Sequence, residues 1–394
     1  MKISDRVKTI NAGGSDGWDV FYKARQLITE GVAVTELTIG EHDIGTRQPI
    51  LDAMHSSASR GHTGYAMVPG TTALRETVAA RIARRTGVAT GPDNILVTPG
   101  GQAALFAAHH ATCEAGDVAA YIDPYYATYP GTIRAAGARP RAIVTSPTTA
   151  FQPTRDQLMA GTEGAASLLV NTPNNPTGAV YGIETLGGIA EACLAHDLWL
   201  ISDEVYDTQV WEGRHISPRS LPGMAERTLV VGSMSKSHAM TGSRIGWICG
   251  PEDAIAHLID LATNTTYGVP GFIQDAATFA LGQGDAVEAA VAAPFRRRRA
   301  ITQEVLAGQN VVRAIPVQGA MYAMLDIRAT GLGGEDFALA LLEEEKIAVM
   351  PGESFGQAAA GHLRVAMTVA DDAYAEALRR LVAFARRLAP ATAR

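Results

Sequence analysis

Short, uninterrupted apolar runs recur along the chain from residue 95 onward: ILVT (95–98), VAAYI (118–122), RAIVT (141–145), SLLVN (167–171), LWLIS (198–202), TLVVG (228–232) and RIGWI (244–248). They are rich in β-branched residues and lack polar alternation, the pattern of strands covered on both faces. Between several of them lie amphipathic stretches that predict helices: QAALFAAHHATCEAG (102–116), ETLGGIAEACLAHD (184–197) and EDAIAHLIDLA (252–262). Buried strands alternating with helices predict an α/β domain built on a large, mostly parallel seven-stranded sheet flanked by helices.

The two ends of the chain read differently. Residues 1–35 read as an N-terminal arm and first helix that form part of a smaller domain, and 36–284 as the large domain. A long helix is expected near 285–308. Beyond it AMYAMLDI (320–327), IAVMP (347–351) and HLRVAMT (362–368) read as strands, with GEDFALALLEEE (334–345) and DDAYAEALRRLVAFARRL (371–388) as helices. Residues 285–394 are therefore expected to form a smaller α+β domain with the interdomain helix. The arginine run 296–299 reads as a solvated helix face rather than a nucleic-acid patch.

Composition narrows the class. Of 394 residues, 47% are hydrophobic and 19% charged, ordinary proportions for a globular enzyme with a sizeable core. A formal charge of −7 argues against a general nucleic-acid surface. Cys113, Cys193 and Cys249 are too few and too scattered for a disulfide framework and point to a reducing compartment. The N-terminal MKISDRVKTINAGGSDGW lacks the apolar core of a signal peptide, and no apolar run reaches the length of a membrane span, so a cytoplasmic location is expected. Lysine is scarce: five residues, at 2, 8, 23, 236 and 346, against 28 arginines. Lys236 stands alone between residues 24 and 345, in a small polar turn directly after an apolar run.

Ligands of open α/β sheets gather outside the carboxyl ends of the strands, so the residues that follow each run carry the chemistry. After ILVT comes PGGQAALF: Gly100 and Gly101 permit close backbone approach, and the helix opening at Gln102 offers free N–H groups to an anion. After VAAYI comes DPYYATYP, where Tyr125, Tyr126 or Tyr129 could stack on a flat ring. SLLVN leads into TPNNPTG, whose Asn175 amide both donates and accepts. LWLIS leads into DEVY. There Asp203, at the end of an apolar strand, needs a cation or a strong donor, and Tyr206 follows. TLVVG leads into SMSKSHAMTGSRIGW, which gathers Ser233, Ser235, Lys236 and Arg244.

The SKS piece is similar to the end of a phosphate-binding P-loop, but GxxxxGK[ST] is absent, with Ser235 in the place of its second glycine. HExxH, clustered Cys/His spacing and a strand-linked GxGxxG are absent too, so neither a zinc enzyme nor a dinucleotide site is expected. Pyridoxal 5′-phosphate uses the whole set. Its aldehyde takes an amine, its pyridine nitrogen a carboxylate and its phenolate oxygen neutral donors. Its phosphate takes N–H groups, hydroxyls and an arginine.

In these residues the chain resembles the class I/II (fold-type I) pyridoxal-phosphate-dependent aminotransferases, the group that includes bacterial aspartate, alanine and aromatic aminotransferases. The resemblance runs from LTIGEHDIGT (37–46) through TGYAMVPGTTALRETVA (63–79) to GHLRVAMT (361–368). It is most specific in NNPTG (174–178), SDEVY (202–206), SMSK with an arginine eight residues on (233–244) and PGESFG (351–356). The resemblance implies the fold-type I transferase architecture. It also implies transfer of an amino group from an L-amino acid to a 2-oxo acid, by a ping-pong mechanism through pyridoxamine phosphate. It implies Lys236 as Schiff-base lysine and general base, Asp203 as partner of the pyridinium, and Tyr206 and Asn175 as donors to the ring oxygen. Tyr126 would stack on the ring, and Gly101, Gln102, Ser233 and Arg244 would hold the phosphate. Tyr65 would reach the phosphate of a neighbouring subunit, which implies a homodimer with shared active sites. Arg364 would fork onto the substrate α-carboxylate beside Gly40 and Asn175.

Departures from the family pattern bear on specificity. GEHDI (40–44) replaces the frequent GEPDF, altering an access segment at His42 and Ile44. Gln102 stands where acid-selective members of one bacterial subgroup place a lysine for the distal carboxylate. A neutral or aromatic donor is thus expected at least as much as aspartate, with 2-oxoglutarate or pyruvate as acceptor. The alternative is a C–S β-lyase or a cyclopropane-forming synthase on the same scaffold, because the cofactor anchors would be shared. A ligand sensor on this fold would be expected to have lost Lys236 or to carry a DNA-binding domain.

Overall fold

All seven apolar runs form strands of one sheet in the computed structural model, which describes residues 1–12 and 17–390. Residues 13–16 of the expected arm and 391–394 of the expected small domain lie outside the described residues. After a short β1 (Thr35–Leu37) come β2 (Ile95–Thr98), β3 (Val118–Asp123), β4 (Arg139–Val144) and β5 (Ser167–Asn171). Then follow β6 (Trp199–Asp203), β7 (Thr228–Ser233) and β8 (Gly246–Cys249). Their spatial order is β2-β8-β7-β6-β5-β3-β4, and only β8 runs antiparallel to its neighbours. Helices lie on both faces because neighbouring strand residues point to opposite sides. Leu169, Ile201 and Val231 pack toward Leu105 and Leu258, while Leu168, Val170 and Leu200 pack toward Leu158 and Ile189. The run RAIVT was expected to be covered like the rest. It forms the edge strand β4 instead, where most residues are at least partly exposed.

The register sets the chemistry side by side. Asn171 pairs with Asp203, Asp203 with Val231, and Ser233 with Gly246, so the carboxyl ends of β5, β6 and β7 open on one edge of the sheet.

A second sheet has the order β1-β11-β12-β10-β9, with β9 (Arg313–Ala314), β10 (Tyr322–Asp326), β11 (Ile347–Pro351) and β12 (His362–Ala366). The helices Gly334–Glu345 and Asp371–Leu388 cover it, together with the helix Asp19–Thr29, whose Val20 and Ala24 enter the same core. β1 pairs in parallel with β11 through residues 35–37, so the chain visits the small sheet before crossing to the large one.

The long helix spans Asp285–Leu306. Its arginine run is not one solvated face. Arg296 and Arg297 face outward, but the Arg298 side chain is 3% exposed and Arg299 lies mostly inward, where it is paired with Glu212. Successive helical residues point about 100° apart, so four in a row cannot share one face. Among the described residues no helix is long and apolar enough to cross a membrane.

Candidate active site

The strand ends and the small sheet enclose a cleft of about 1090 Å³. Every residue given a role by the family resemblance lines it except Tyr65, while Gly100, Tyr125, His42 and Ile44 lie outside the lining. Tyr65 is 92% exposed and packs edge-on against Tyr267, 5.3 Å between ring centres.

Lys236 sits in a single helical turn, Met234–Ser237, directly after β7. Ser233 caps the turn, its hydroxyl accepting from the Ser235 N–H at 3.1 Å. The Lys236 ammonium donates to the Gly40 carbonyl at 2.5 Å. Burial lowers its pKa to about 8; Arg364 and Arg244 add to the fall, and the charge of Glu41 opposes it.

Asp203 ends β6 and is buried. Its carboxylate accepts from the Tyr129 hydroxyl at 2.7 Å and the Val205 N–H at 3.3 Å. Among the described residues no cationic side chain pairs with it, and burial raises its pKa to about 6 against the pull of Tyr129. Tyr129, one of three stacking candidates, is therefore spent on Asp203. Tyr125 packs on Tyr121 outside the cleft lining, and Tyr126 lines the cleft.

An anion cradle lies at the end of β2. Gly100 has φ +84°, and a Cβ there would lie 2.5 Å from Arg244 Nη2. A Cβ on Gly246 would lie 2.6 Å from the Gly232 carbonyl and 3.1 Å from the Gly101 nitrogen. Only glycines let these backbones meet at the N-terminus of the helix Gly101–Thr112, whose first N–H groups point outward. Gln102 lies on that first turn, but its amide is engaged with Thr132 at 2.6 Å and Thr128 at 3.0 Å.

Arg364, on β12, is buried and has no carboxylate partner among the described residues. It donates to Asn175 Oδ1 at 3.0 Å and to the Thr38 carbonyl, its Nε is unpartnered, and its guanidinium lies over the rings of Phe355 (4.2 Å) and Tyr322 (4.4 Å). A buried cation without a counter-charge is costly, and the arrangement fits a ligand carboxylate. The Tyr206 hydroxyl lies 3.0 Å from that of Tyr322, and a Cβ on Gly40 would sit 1.8 Å from Tyr322 Oη.

Sequence reasoning missed Tyr322, which reads there as one more strand residue. It also missed the wall formed by Ile10, Trp18, Phe21 and Tyr22. Residues 1–35 read only as an N-terminal arm and first helix, with no role at the site.

Pyridoxal phosphate fits this donor set: an amine of depressed pKa, a buried carboxylate without a cation, and a glycine-walled anion cradle. Fold and site together define a fold-type I, pyridoxal-phosphate-dependent transferase. The chain belongs to the aminotransferase class I and II family, whose model matches residues 32–381. It is 40% identical over 382 residues to the arginine–pyruvate transaminase of Pseudomonas aeruginosa, covering 97% of each chain. It is 36% identical over 363 residues to the aspartate/prephenate aminotransferase of Thermus thermophilus, covering 91% of this chain and 92% of that one. A solved structure of Thermus thermophilus aspartate aminotransferase with maleate matches with a TM-score of 0.91 and 33% identity, covering 98% of this chain and 100% of that one. The protein is an aminotransferase that moves an amino group from an amino acid to a 2-oxo acid by ping-pong chemistry. Its relatives are named as amino-group transferases, and the lyase alternative is set aside.

Proposed function

We propose that the amino donor is an L-amino acid with a long, non-acidic side chain, arginine foremost, and that the acceptor is pyruvate. The charge inventory of the cleft carries this reading. Among its described lining residues the charged groups are Lys236, Arg244, Arg364, Asp203 and Glu41. We assign Asp203 to the pyridine nitrogen, and Arg244 with Ser233 and the N–H groups of Gly101 and Gln102 to the phosphate. Tyr126 is assigned to the ring face and Tyr206 and Asn175 to the ring oxygen. Arg364 is assigned to the substrate α-carboxylate, with the bare Gly40 leaving room beside it.

The bound cofactor supplies an aldehyde that captures amines and a ring that withdraws electrons. Lys236 Nζ would take the proton from the substrate Cα and return it, and a pKa of about 8 leaves part of it neutral near physiological pH. Glu41, whose carboxylate accepts from the Thr241 hydroxyl, is then the one charge without a cofactor or carboxylate to serve, and no cation remains for a distal carboxylate. The aromatic wall of Trp18, Phe21 and Tyr22 suits a long alkyl, aryl or guanidinium group. The likeness to an arginine–pyruvate transaminase supports the same choice.

Two further assignments belong to this reading. A homodimer with shared active sites is supported by the exposure of Tyr65, Met67 and Tyr267, an apolar surface that a second copy would cover. Unpaired thiols at Cys113, Cys193 and Cys249 support a reducing, cytoplasmic setting.

The test is a set of kcat/KM values for arginine, phenylalanine, leucine and aspartate, each with pyruvate and with 2-oxoglutarate. Arginine with pyruvate is expected to exceed aspartate with either acceptor by about tenfold or more, which corresponds to about 1.4 kcal/mol. Aspartate as the best donor would sink the reading.

A further inference from the structure

Arg298 comes from a run of four arginines, yet its side chain is 3% exposed. Its Nη1 and Nη2 donate to the two carboxylate oxygens of Asp43 at 2.9 and 2.6 Å. Nε donates to Asp371 at 2.9 Å, and Nη1 also to the Met367 carbonyl at 2.9 Å. These partners belong to separate segments. Asp43 follows Gly40 on the way from β1 to the large sheet, whereas Met367 and Asp371 follow β12, the strand of Arg364. One guanidinium on the long helix therefore fastens both.

Residues 38–40 form a seam across the site. Their three successive carbonyls accept from three different donors: Thr38 from Arg364, Ile39 from Thr368 at 3.3 Å, and Gly40 from Lys236 at 2.5 Å. The cation assigned to the substrate carboxylate and the amine assigned to proton transfer are thus spaced by the same three residues. The seam has no slack on the Tyr322 side, where even a methyl group on Gly40 would collide. Large-domain residues hold it through Thr46 on the Ala239 carbonyl (2.7 Å) and Thr241 on Glu41 (2.9 Å). On the long helix it is held by the Asp43–Arg298 fork and the packing of His42 on Phe295, 5.2 Å between ring centres.

We propose that Arg298 is a positioning residue for amino transfer: through Asp43, Met367 and Asp371 it fixes the Thr38–Gly40 seam and so the spacing between Arg364 and Lys236. This rests on the roles assigned to Arg364 and Lys236 above. A lysine keeps the charge but cannot fork onto Asp43 and also reach Asp371. Misplacement by a fraction of an ångström at such a seam costs binding and rate without unfolding the chain.

The experiment compares Arg298→Lys, Asp43→Asn and the double variant with wild type, and runs Arg364→Lys alongside. Each single variant is expected to raise KM for donor and acceptor by about tenfold to a hundredfold. kcat should fall less, and the thermal midpoint should stay close to that of wild type. The double variant should be no worse than the worse single one, because both break one contact. A second readout uses the cofactor-free protein, where Lys236 is titrated by competitive acetylation and mass spectrometry. A loosened seam withdraws the Gly40 carbonyl from the ammonium, so the midpoint should drop below that of wild type. Glu41, Arg364, Arg244 and His42, which face Lys236, are unchanged in these variants. Unchanged KM values and an unchanged Lys236 midpoint in folded Arg298→Lys would overturn the proposal. So would a loss confined to the fraction of active protein. If KM is also unchanged in Arg364→Lys, the Arg364 assignment falls and the proposal with it. If KM rises there but not in Arg298→Lys, only the role of Arg298 falls.

Discussion

Consider Asp203→Asn in the cofactor-free protein. Asp203 is 4% exposed, and its carboxylate receives a tyrosine hydroxyl and one backbone N–H but, among the described residues, no cation. Burial lifts its pKa from 3.8 to about 6. Between those values the native protein holds a proton that the unfolded chain has released. Stability therefore falls as pH rises through that window and stays lower above it. At about 1.4 kcal/mol per pH unit, the buried charge costs about 3 kcal/mol near neutral pH. Asparagine removes the charge and keeps an acceptor for the Tyr129 hydroxyl. The variant should therefore be more stable than wild type by about 3 kcal/mol near pH 7, and nearly equal to it near pH 4. Urea denaturation of both cofactor-free proteins across that range measures the gap. Adding pyridoxal phosphate should narrow or reverse it, because only the carboxylate gains a charged partner on the pyridine nitrogen. A variant no more stable than wild type near neutrality, or a gap that does not widen from pH 4 to pH 7, would refute the view of Asp203 as a charge held for a ligand.

Other outcomes follow from the same geometry. Lys236→Ala should lose covalent retention of pyridoxal phosphate after borohydride reduction, and transfer activity should fall by roughly 10²–10⁴-fold, measured in single turnovers. In the wild-type cofactor-free protein the Lys236 ammonium should titrate near about 8, read by competitive acetylation; a midpoint near that of the exposed lysines would mean the amine is not buried. Arg364→Lys should raise KM for both amino acid and 2-oxo acid by about tenfold or more, since one charge-assisted hydrogen bond is worth about 1.5–3 kcal/mol. Gly40→Ala drives a methyl group against Tyr322 Oη and should depress activity, with Tyr322→Phe in the same chain restoring part of it; a silent Gly40→Ala would show that the seam is looser than it looks.

The large sheet was legible in the sequence because continuous apolar runs have few other places to go. Which run takes the edge was not: RAIVT reads like its neighbours, and only the strand order exposes Val144. β1 is three residues long, too short to carry a period. Much of the site was legible for a geometric reason. Parallel strands deliver their following residues to one edge, so Lys236, Asp203 and Asn175 converge wherever the chain goes between them. What the sequence did not show arrives by tertiary approach. Tyr129, read there as a stacking candidate, reaches Asp203 across 74 positions of sequence, and the missed Tyr322 meets Tyr206 across 116. For the arginine run, helical geometry says that the four must diverge, but only the packing of Asp43 and Asp371 decides that Arg298 turns inward.

Several buried charges elsewhere in this protein are matched within the chain, although Asp123 rests on the Gln357 and Ala358 N–H groups and Arg219 on the Thr90 hydroxyl, with no ion-pair partner among the described residues. Arg81 pairs with Asp207 at 2.9 Å and Glu288 at 2.7 Å, His215 with Glu204 at 2.9 Å, and Arg298 with Asp43 and Asp371. Among the described residues at the cleft, Asp203 and Arg364 have no such partner and Lys236 has only a carbonyl. Matched groups have recovered part of their desolvation cost, whereas unmatched ones have not and are stabilised by whatever ligand completes them. The two kinds of variant should then diverge. Breaking an internal pair such as Arg81–Glu288 should lower stability with or without ligand. Neutralising Asp203 should raise the stability of the empty protein and weaken cofactor binding, an opposition of signs that marks a charge kept for a ligand.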